Sequence, residues 1–376
     1  MSGTGTAAVF TGTGSPFELR DYPLPDPEPG SVLVRVRLAN VCGSDLHMWR
    51  GELSLERLGL EFPLVLGHEA TGEVAALGEG VAADAAGAPL AIGDRVAWRY
   101  FSPCGDCRSC RAGVTRACRE THRFISQGQS SDRPPHFVGA YATHLFLRSG
   151  HAVFRVPEGL PDEAVAAANC ALAEVIQGFA SVRLREGENV VIQGAGGLGI
   201  NACAVAKSMG AARVVVVDGI PARLALARRF GADATVDLSE VPDPRARVKA
   251  VKEATDGWGG DVVAEFAGDA SAVQEGIQML AQGGRYLACG CIHTGTSFEL
   301  DPAYLTLMNR SVHGLAYYEP RALRDALRFL DAHRDRYPWG SLLAARYPLA
   351  RINDAFEDAH ARRVHRAALQ MPGGAE

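Results

Sequence analysis

Four thiols crowd a fifteen-residue stretch: Cys104, Cys107, Cys110 and Cys118 stand at spacings of three, three and eight. Loops this short can wrap one tetrahedral Zn2+ through four thiolates at about 2.3 Å each, leaving no coordination position open to a substrate. Free or redox-active thiols are the alternative, and nine cysteines in 376 residues are too few, and odd in number, for a disulfide scaffold. A second set of metal-ligating residue types is dispersed. Cys42 and His47 sit in Val41-Cys-Gly-Ser-Asp-Leu-His47, His68 and Glu69 in Leu66-Gly-His-Glu-Ala-Thr-Gly72, and Cys170 in Ala168-Asn-Cys-Ala171. A Cys/His/Cys set with one vacant position is a catalytic zinc arrangement. Spacing alone does not make these residues converge. Each taken singly reads as a buried Cys, a hydrogen-bonded His or a solvated Glu.

The third constellation binds phosphate. Asn189-Val-Val-Ile-Gln-Gly-Ala-Gly-Gly-Leu-Gly199 places Gly194, Gly196, Gly197, Leu198 and Gly199 between a strand and the amphipathic segment Ile200–Met209. The first glycine makes the tight turn, Gly196 lets backbone approach a pyrophosphate, and Gly199 permits close helix–strand packing, while the helix N-terminus offers free N–H groups. A second strand, Val214–Val217, ends in Asp218, 19 residues after Gly199, where an acid binds an adenosine ribose. Its charge repels a 2′-phosphate and favours NAD over NADP, although Arg223, five residues on, is able to pair with that phosphate.

These groups need elements to hold them. The first 165 or so residues read as β-rich, with period-two alternation in Ser31–Leu38 and Arg95–Trp98 and loops at Pro23–Pro29 and Ser126–Pro135. After about residue 170, short apolar runs (Val190–Gln193, Arg213–Asp218, Asp261–Phe266, Gly284–Gly290) alternate with helix-length amphipathic segments, the βαβ rhythm of a doubly wound parallel sheet. The remainder, from about 317, holds a helical stretch Arg321–Arg336 and a short strand Arg366–Met371. At 376 residues the chain is long enough for two cores. A net charge of −5 argues against nucleic acid or an anionic membrane surface as partner, and a zinc-ribbon binding module is disfavoured on the same ground. With no long apolar run and no basic, apolar leader, the expectation is a cytoplasmic protein whose partner is a small molecule.

Cys42-Gly-Ser-Asp-Leu-His47, Gly67-His-Glu69, the four-cysteine stretch, Cys170 and Gly194–Gly199 together resemble the zinc-dependent medium-chain alcohol dehydrogenases, in their bacterial branch, over nearly the whole chain. The resemblance implies an α/β protein: a GroES-like catalytic domain over 1–170 carrying the structural-zinc lobe at about 100–120, a Rossmann domain over 171–316, and a return to the catalytic domain over 317–376. It implies two zincs per chain and NAD, with Cys42, His68 and Cys170 on the catalytic zinc and Glu69 a nearby carboxylate able to replace water. Asp45 would fix the His68 tautomer, Ser44 and His47 would relay the proton, and Tyr100 would line the substrate pocket. It also implies a homodimer or homotetramer.

Two departures from the family pattern stand out. Gly43 takes the place of a pyrophosphate-binding arginine, for which Arg366 is the expected substitute. Glu174 takes the place of a threonine beside the nicotinamide. If Cys170 starts a helix, Glu174 lies one turn on along the same face, pointing to a polar, secondary or polyhydroxylated alcohol, or one bearing an amine. A non-redox or double-bond-reducing enzyme on the same fold would keep the glycine turn but lose the zinc ligands, all of which are here.

Overall fold

The computed structural model describes residues 3–53, 55, 60–120, 129–292 and 295–373, so Ser126–Gly128 of the expected loop lie outside it. The chain divides into two compact units, one of residues 1–173, 317–334 and 339–376, the other of residues 174–316 and 335–338.

The first unit is built on β-sheet. A seven-stranded sheet runs in the order Ala345–Pro348, Ala367–Gln370, Val32–Asn40, Glu69–Leu77, Arg95–Trp98, Val153–Arg155, with His144–Leu147 also pairing to Val32–Asn40. All its pairs are antiparallel except the first. A three-stranded sheet adds Glu18–Pro23, Thr4–Phe10 and Leu64–Val65. The alternation in Val32–Asn40 is only partial: Arg35 and Arg37 reach outward, but the other seven side chains are buried, because apolar groups cover both faces of this strand. The helix Pro320–Ala332 starts on proline and buries Ala322, Leu323, Ala326, Leu327 and Leu330 on one face.

The second unit is a parallel sheet of six strands, ordered Ala234–Asp237, Arg213–Asp218, Asn189–Gln193, Gly260–Glu265, Leu280–Ala288, Ser311–Gly314. In chain order that is 3-2-1-4-5-6, the doubly wound arrangement whose first strand-to-helix turn binds a dinucleotide. The fifth strand begins four residues before the apolar run Gly284–Gly290 that signals it.

One helical run, Asp162–Ser181, is long and apolar enough to cross a membrane, but most of it is buried inside the protein. It is not one uniform helix. Ala168–Leu172 form a π turn, closed by Leu172 N–H to the Ala167 carbonyl at 3.2 Å, between α-helical turns at Asp162–Val165 and Ala173–Ser181.

Candidate active site

Three separate segments of the first unit deliver the dispersed donors to one point. Cys42 caps the helix Gly43–Trp49 at the end of Val32–Asn40, and its N–H donates to Asp45 Oδ2 at 3.0 Å. His68 and Glu69 open the neighbouring strand, where Glu69 pairs in register with Asn40. A Cβ on Gly67 would lie 2.6 Å from the Tyr141 ring, so only glycine lets the backbone before His68 pass so close. Cys170 sits in the π turn, a form common at functional sites.

Donor atoms of Cys42, His68, Glu69 and Cys170 all lie within 4.8 Å of one another and all four residues are buried. Asp45 is wholly buried and accepts from His68 Nδ1 at 3.2 Å and from the Tyr141 hydroxyl at 2.7 Å. With its proton on Nδ1, the imidazole turns the lone pair of Nε2 away from Asp45, 3.4 Å from Ser44 Oγ. Burial alone would lower the His68 pKa, but Asp45 and a Cys42 thiolate more than offset it and hold the ring well above its ordinary value. The Cys42 thiol is held well below its usual range, through its hydrogen bond with Cys170 and the charge of His68. Glu69 Oε2 accepts from Asn40 Nδ2 at 3.3 Å and pairs with Arg366, whereas the buried Oε1 has no protein partner among the described residues. Two thiols, an imidazole lone pair and an unsatisfied carboxylate oxygen converging in a buried site fit a zinc ion.

The four-cysteine lobe fits a second. Sulfur separations are 3.5 Å for Cys107–Cys110 and 3.9 Å for Cys104–Cys110, bracketing the ~3.8 Å that tetrahedral zinc requires. Backbone N–H groups of Cys107 and Cys104 donate to the sulfurs of Cys104 and Cys118 at 3.4 and 3.3 Å, stabilising thiolates.

In the second unit, the glycines divide the work as the motif requires. A Cβ on Gly199 would fall 1.9 Å from the Gly194 carbonyl oxygen, whereas one on Gly196 meets nothing within 4 Å. Gly197 and Leu198 open the helix Gly197–Ser208. Asp218 accepts from Ala195 N–H at 2.7 Å and Ile220 N–H at 2.8 Å, and Arg223 comes within 4.0 Å of it.

Arg366, Cys170 and Glu174 have surroundings that the sequence did not show. Arg366, expected on the cofactor, is spent first on Glu69, because a buried carboxylate needs a counter-charge and strand Ala367–Gln370 pairs with Asn40, itself paired with Glu69. Its Nε and Nη1 have no protein partner among the described residues. Cys170 does not start an α-helix, so the one-turn argument relating it to Glu174 no longer holds. Glu174 belongs to the second unit, at the start of Ala173–Ser181, where, after burial, its charge pushes up the Cys289 thiol. His47 is paired with Glu52 and Arg50 near the surface.

The sequence reading missed Tyr141, Asn40 and Asn169. Asn169 Nδ2 donates to the His68 carbonyl at 3.0 Å. Asn40 and Asn169 each stand within two residues of a ligand cysteine, which was a usable signal; nothing local marks Tyr141, 96 residues from Asp45. Tyr100 lies with its ring 5.1 Å from that of His68, beside Phe101, Tyr317 and Tyr318.

Comparison with known proteins agrees with this geometry. The alcohol dehydrogenase GroES-like domain family matches residues 28–158 and the zinc-binding dehydrogenase family residues 197–332. The chain is 34% identical to the 5-exo-hydroxycamphor dehydrogenase of Pseudomonas putida over 90% of this chain and 91% of that one. It is 37% identical to an L-threonine 3-dehydrogenase of a Chelativorans species over 74% of each chain. An alcohol dehydrogenase of Thermotoga maritima superposes with a TM-score of 0.91 at 29% identity, covering 98% of this chain and 100% of that one. The chain thus belongs to the bacterial branch of the zinc-dependent medium-chain alcohol dehydrogenases, enzymes that move a hydride between an alcohol and a nicotinamide cofactor.

Proposed function

We propose that this enzyme oxidises a secondary alcohol to a ketone with NAD, using Cys42, His68 and Cys170 to hold the catalytic zinc and Glu69 as an alternative oxygen ligand. The observation that carries this reading is the convergence of those four donors, with His68 anchored through Nδ1 by a buried carboxylate. Zinc held there would lower the pKa of an alcohol hydroxyl, and a dinucleotide whose pyrophosphate the Gly194–Gly199 turn would hold would supply the nicotinamide that takes the hydride. The chain's own residues do the rest. Ser44, beside His68, would take the hydroxyl proton while releasing its own toward His47, which is hydrogen-bonded to Glu52 and passes a proton to solvent. Asp45 keeps the His68 ring in the binding tautomer. Cys104, Cys107, Cys110 and Cys118 hold the structural zinc.

Both 5-exo-hydroxycamphor and the 3-position of threonine are secondary carbinols, and the aromatic residues near His68 suit an apolar flank on the substrate. NAD is preferred because Asp218 puts a negative charge where NADP carries its 2′-phosphate, and Arg223 faces that carboxylate. The edge strand Ser311–Gly314, with exposed Val312, Leu307 and Tyr304 nearby, supports a homodimer or homotetramer. Cysteines clustered as zinc ligands and a dinucleotide cofactor support the cytoplasm. The test is NAD-linked oxidation across a panel of primary, secondary and polyhydroxylated alcohols. Secondary alcohols with NAD should give the highest kcat/KM; a preference for primary alcohols or for NADP refutes the corresponding part.

A further inference from the structure

Between Cys110 and Cys118 the lobe carries the half-buried Thr115 and Arg116, and both are tied to one residue about two hundred positions away, Glu319. Thr115 Oγ1 donates to one carboxylate oxygen; Arg116 donates to the other through its backbone N–H and through Nη1, each at 3.1 Å. Arg99 backs the contact. It is only 2% exposed, donates Nη1 to Thr115 Oγ1 at 2.9 Å and Nε to the Phe101 carbonyl at 3.1 Å, and its guanidinium lies 4.6 Å over the Phe101 ring. Thr115 therefore commits its one hydroxyl proton to Glu319 and a lone pair to Arg99.

Glu319 directly follows Tyr317 and Tyr318. Tyr317 has φ of 66°, a left-handed conformation that a bulky residue keeps only when its surroundings impose it. Its ring lies 4.7 Å from Phe101 and 6.1 Å from Tyr100, whose own ring faces His68. The Tyr318 hydroxyl donates to the Asn169 carbonyl, and Asn169 in turn holds the His68 carbonyl.

We infer that Glu319 is a positioning residue that latches the Cys104–Cys118 lobe to the Tyr317–Tyr318 segment and so sets the aromatic wall beside His68, against which the larger part of the alcohol rests. The inference rests on the reading that the alcohol binds next to His68. It gives the lobe a part in substrate selection through its own hydrogen bonds. A carboxylate is required because it accepts from a hydroxyl, an amide N–H and a guanidinium at once; an amide would turn an NH2 group toward one of these donors.

The experiment compares Glu319→Gln, Thr115→Val and the double variant with the parent enzyme on propan-2-ol and cyclohexanol, alongside zinc content, thermal unfolding and near-ultraviolet circular dichroism of the tyrosines. Glu319→Gln should raise KM for cyclohexanol about tenfold, leaving kcat and the KM for propan-2-ol within about threefold. Zinc should stay at two per chain, and the tyrosine signal should change. Thr115→Val should act in the same direction, and the double variant should be no worse than Glu319→Gln, since both cut one contact. An unchanged ratio of the two KM values in both single variants overturns the latch, as does an equal loss on both alcohols that tracks lost zinc. If the parent oxidises neither alcohol, the alcohol reading fails instead; the latch is then decided by the tyrosine signal, and an unchanged signal in Glu319→Gln overturns it.

Discussion

Replacing Gly196 and Gly199 by alanine, one at a time, separates two tasks that lie three residues apart. At Gly199 the new methyl would fall 1.9 Å from the Gly194 carbonyl oxygen and 2.9 Å from its carbon, with Ile192 at 3.4 Å behind it. These neighbours are backbone and core, so the turn itself must move. Overpacking of this kind costs about 2–3 kcal/mol. For a unit of some 150 residues that lowers the Tm by roughly 4–12 °C. At Gly196 the methyl meets no atom within 4 Å, and the backbone at φ −75° is open to any residue. Alanine is a poorer N-cap than glycine, a loss of less than about 1 kcal/mol. What the methyl obstructs is the approach of the turn to a pyrophosphate. Losing one charge-assisted hydrogen bond there, at about 1.5–3 kcal/mol, weakens NAD binding roughly 10- to 100-fold. Calorimetric titration with NAD and thermal unfolding read the two effects separately. Gly196→Ala binding NAD as tightly as the parent would show that the turn does not carry the pyrophosphate; a parental Tm for Gly199→Ala would refute the packing argument.

Elemental analysis should find two zincs per chain, falling to one in Cys42→Ala, and a chelator should remove the Cys42/His68/Cys170 ion before the four-thiolate one, because only the former has an open position. Asp45→Asn should lower the affinity for the catalytic zinc about 10- to 100-fold, measured by competition with a chromogenic chelator, since the ring of His68 and the amide of Cys42 both lose their carboxylate. Stability should fall with acid through His151: its Nδ1 is hydrogen-bonded to the Arg148 carbonyl, Nε2 is enclosed with no partner among the described residues, and burial holds its pKa down to about 4. The unfolded chain takes up this proton first, so the contribution is complete above about pH 6.5 and is lost as pH falls toward 4, by up to about 3 kcal/mol. Urea unfolding across that range should show the slope, and His151→Gln should flatten it.

What could be read from the sequence was local. The turn Gly194–Gly199 and the stretch Cys104–Cys118 each place their groups within a few residues, so the backbone between them fixes the geometry whatever surrounds it. Strand positions in the parallel sheet were legible for a similar reason: Arg213–Asp218 holds the unbroken, fully buried apolar run Val214–Val217 that a strand covered on both faces requires, and the observed strand has those bounds. Strand ends were less so, since the glycines in Leu280–Ala288 look like a terminus to a pattern but lie within the strand, at the break in its pairing register.

The rest came from tertiary structure. Cys42 and Cys170 are 128 residues apart, and no spacing rule brings them together; the pairing of Val32–Asn40 with Glu69–Leu77 and the π turn at Ala168–Leu172 do so. The partners of buried charges were equally hidden. Arg366 goes to Glu69, Tyr141 to Asp45 and Glu319 to Thr115, because a buried carboxylate takes whichever donor the sheet register and the loops set against it. The sequence by itself determined which chemistry was present, because residue type and local spacing decide what a loop can bind. Which residues act on one another was decided only by the fold, because burial and register are properties of the packed chain.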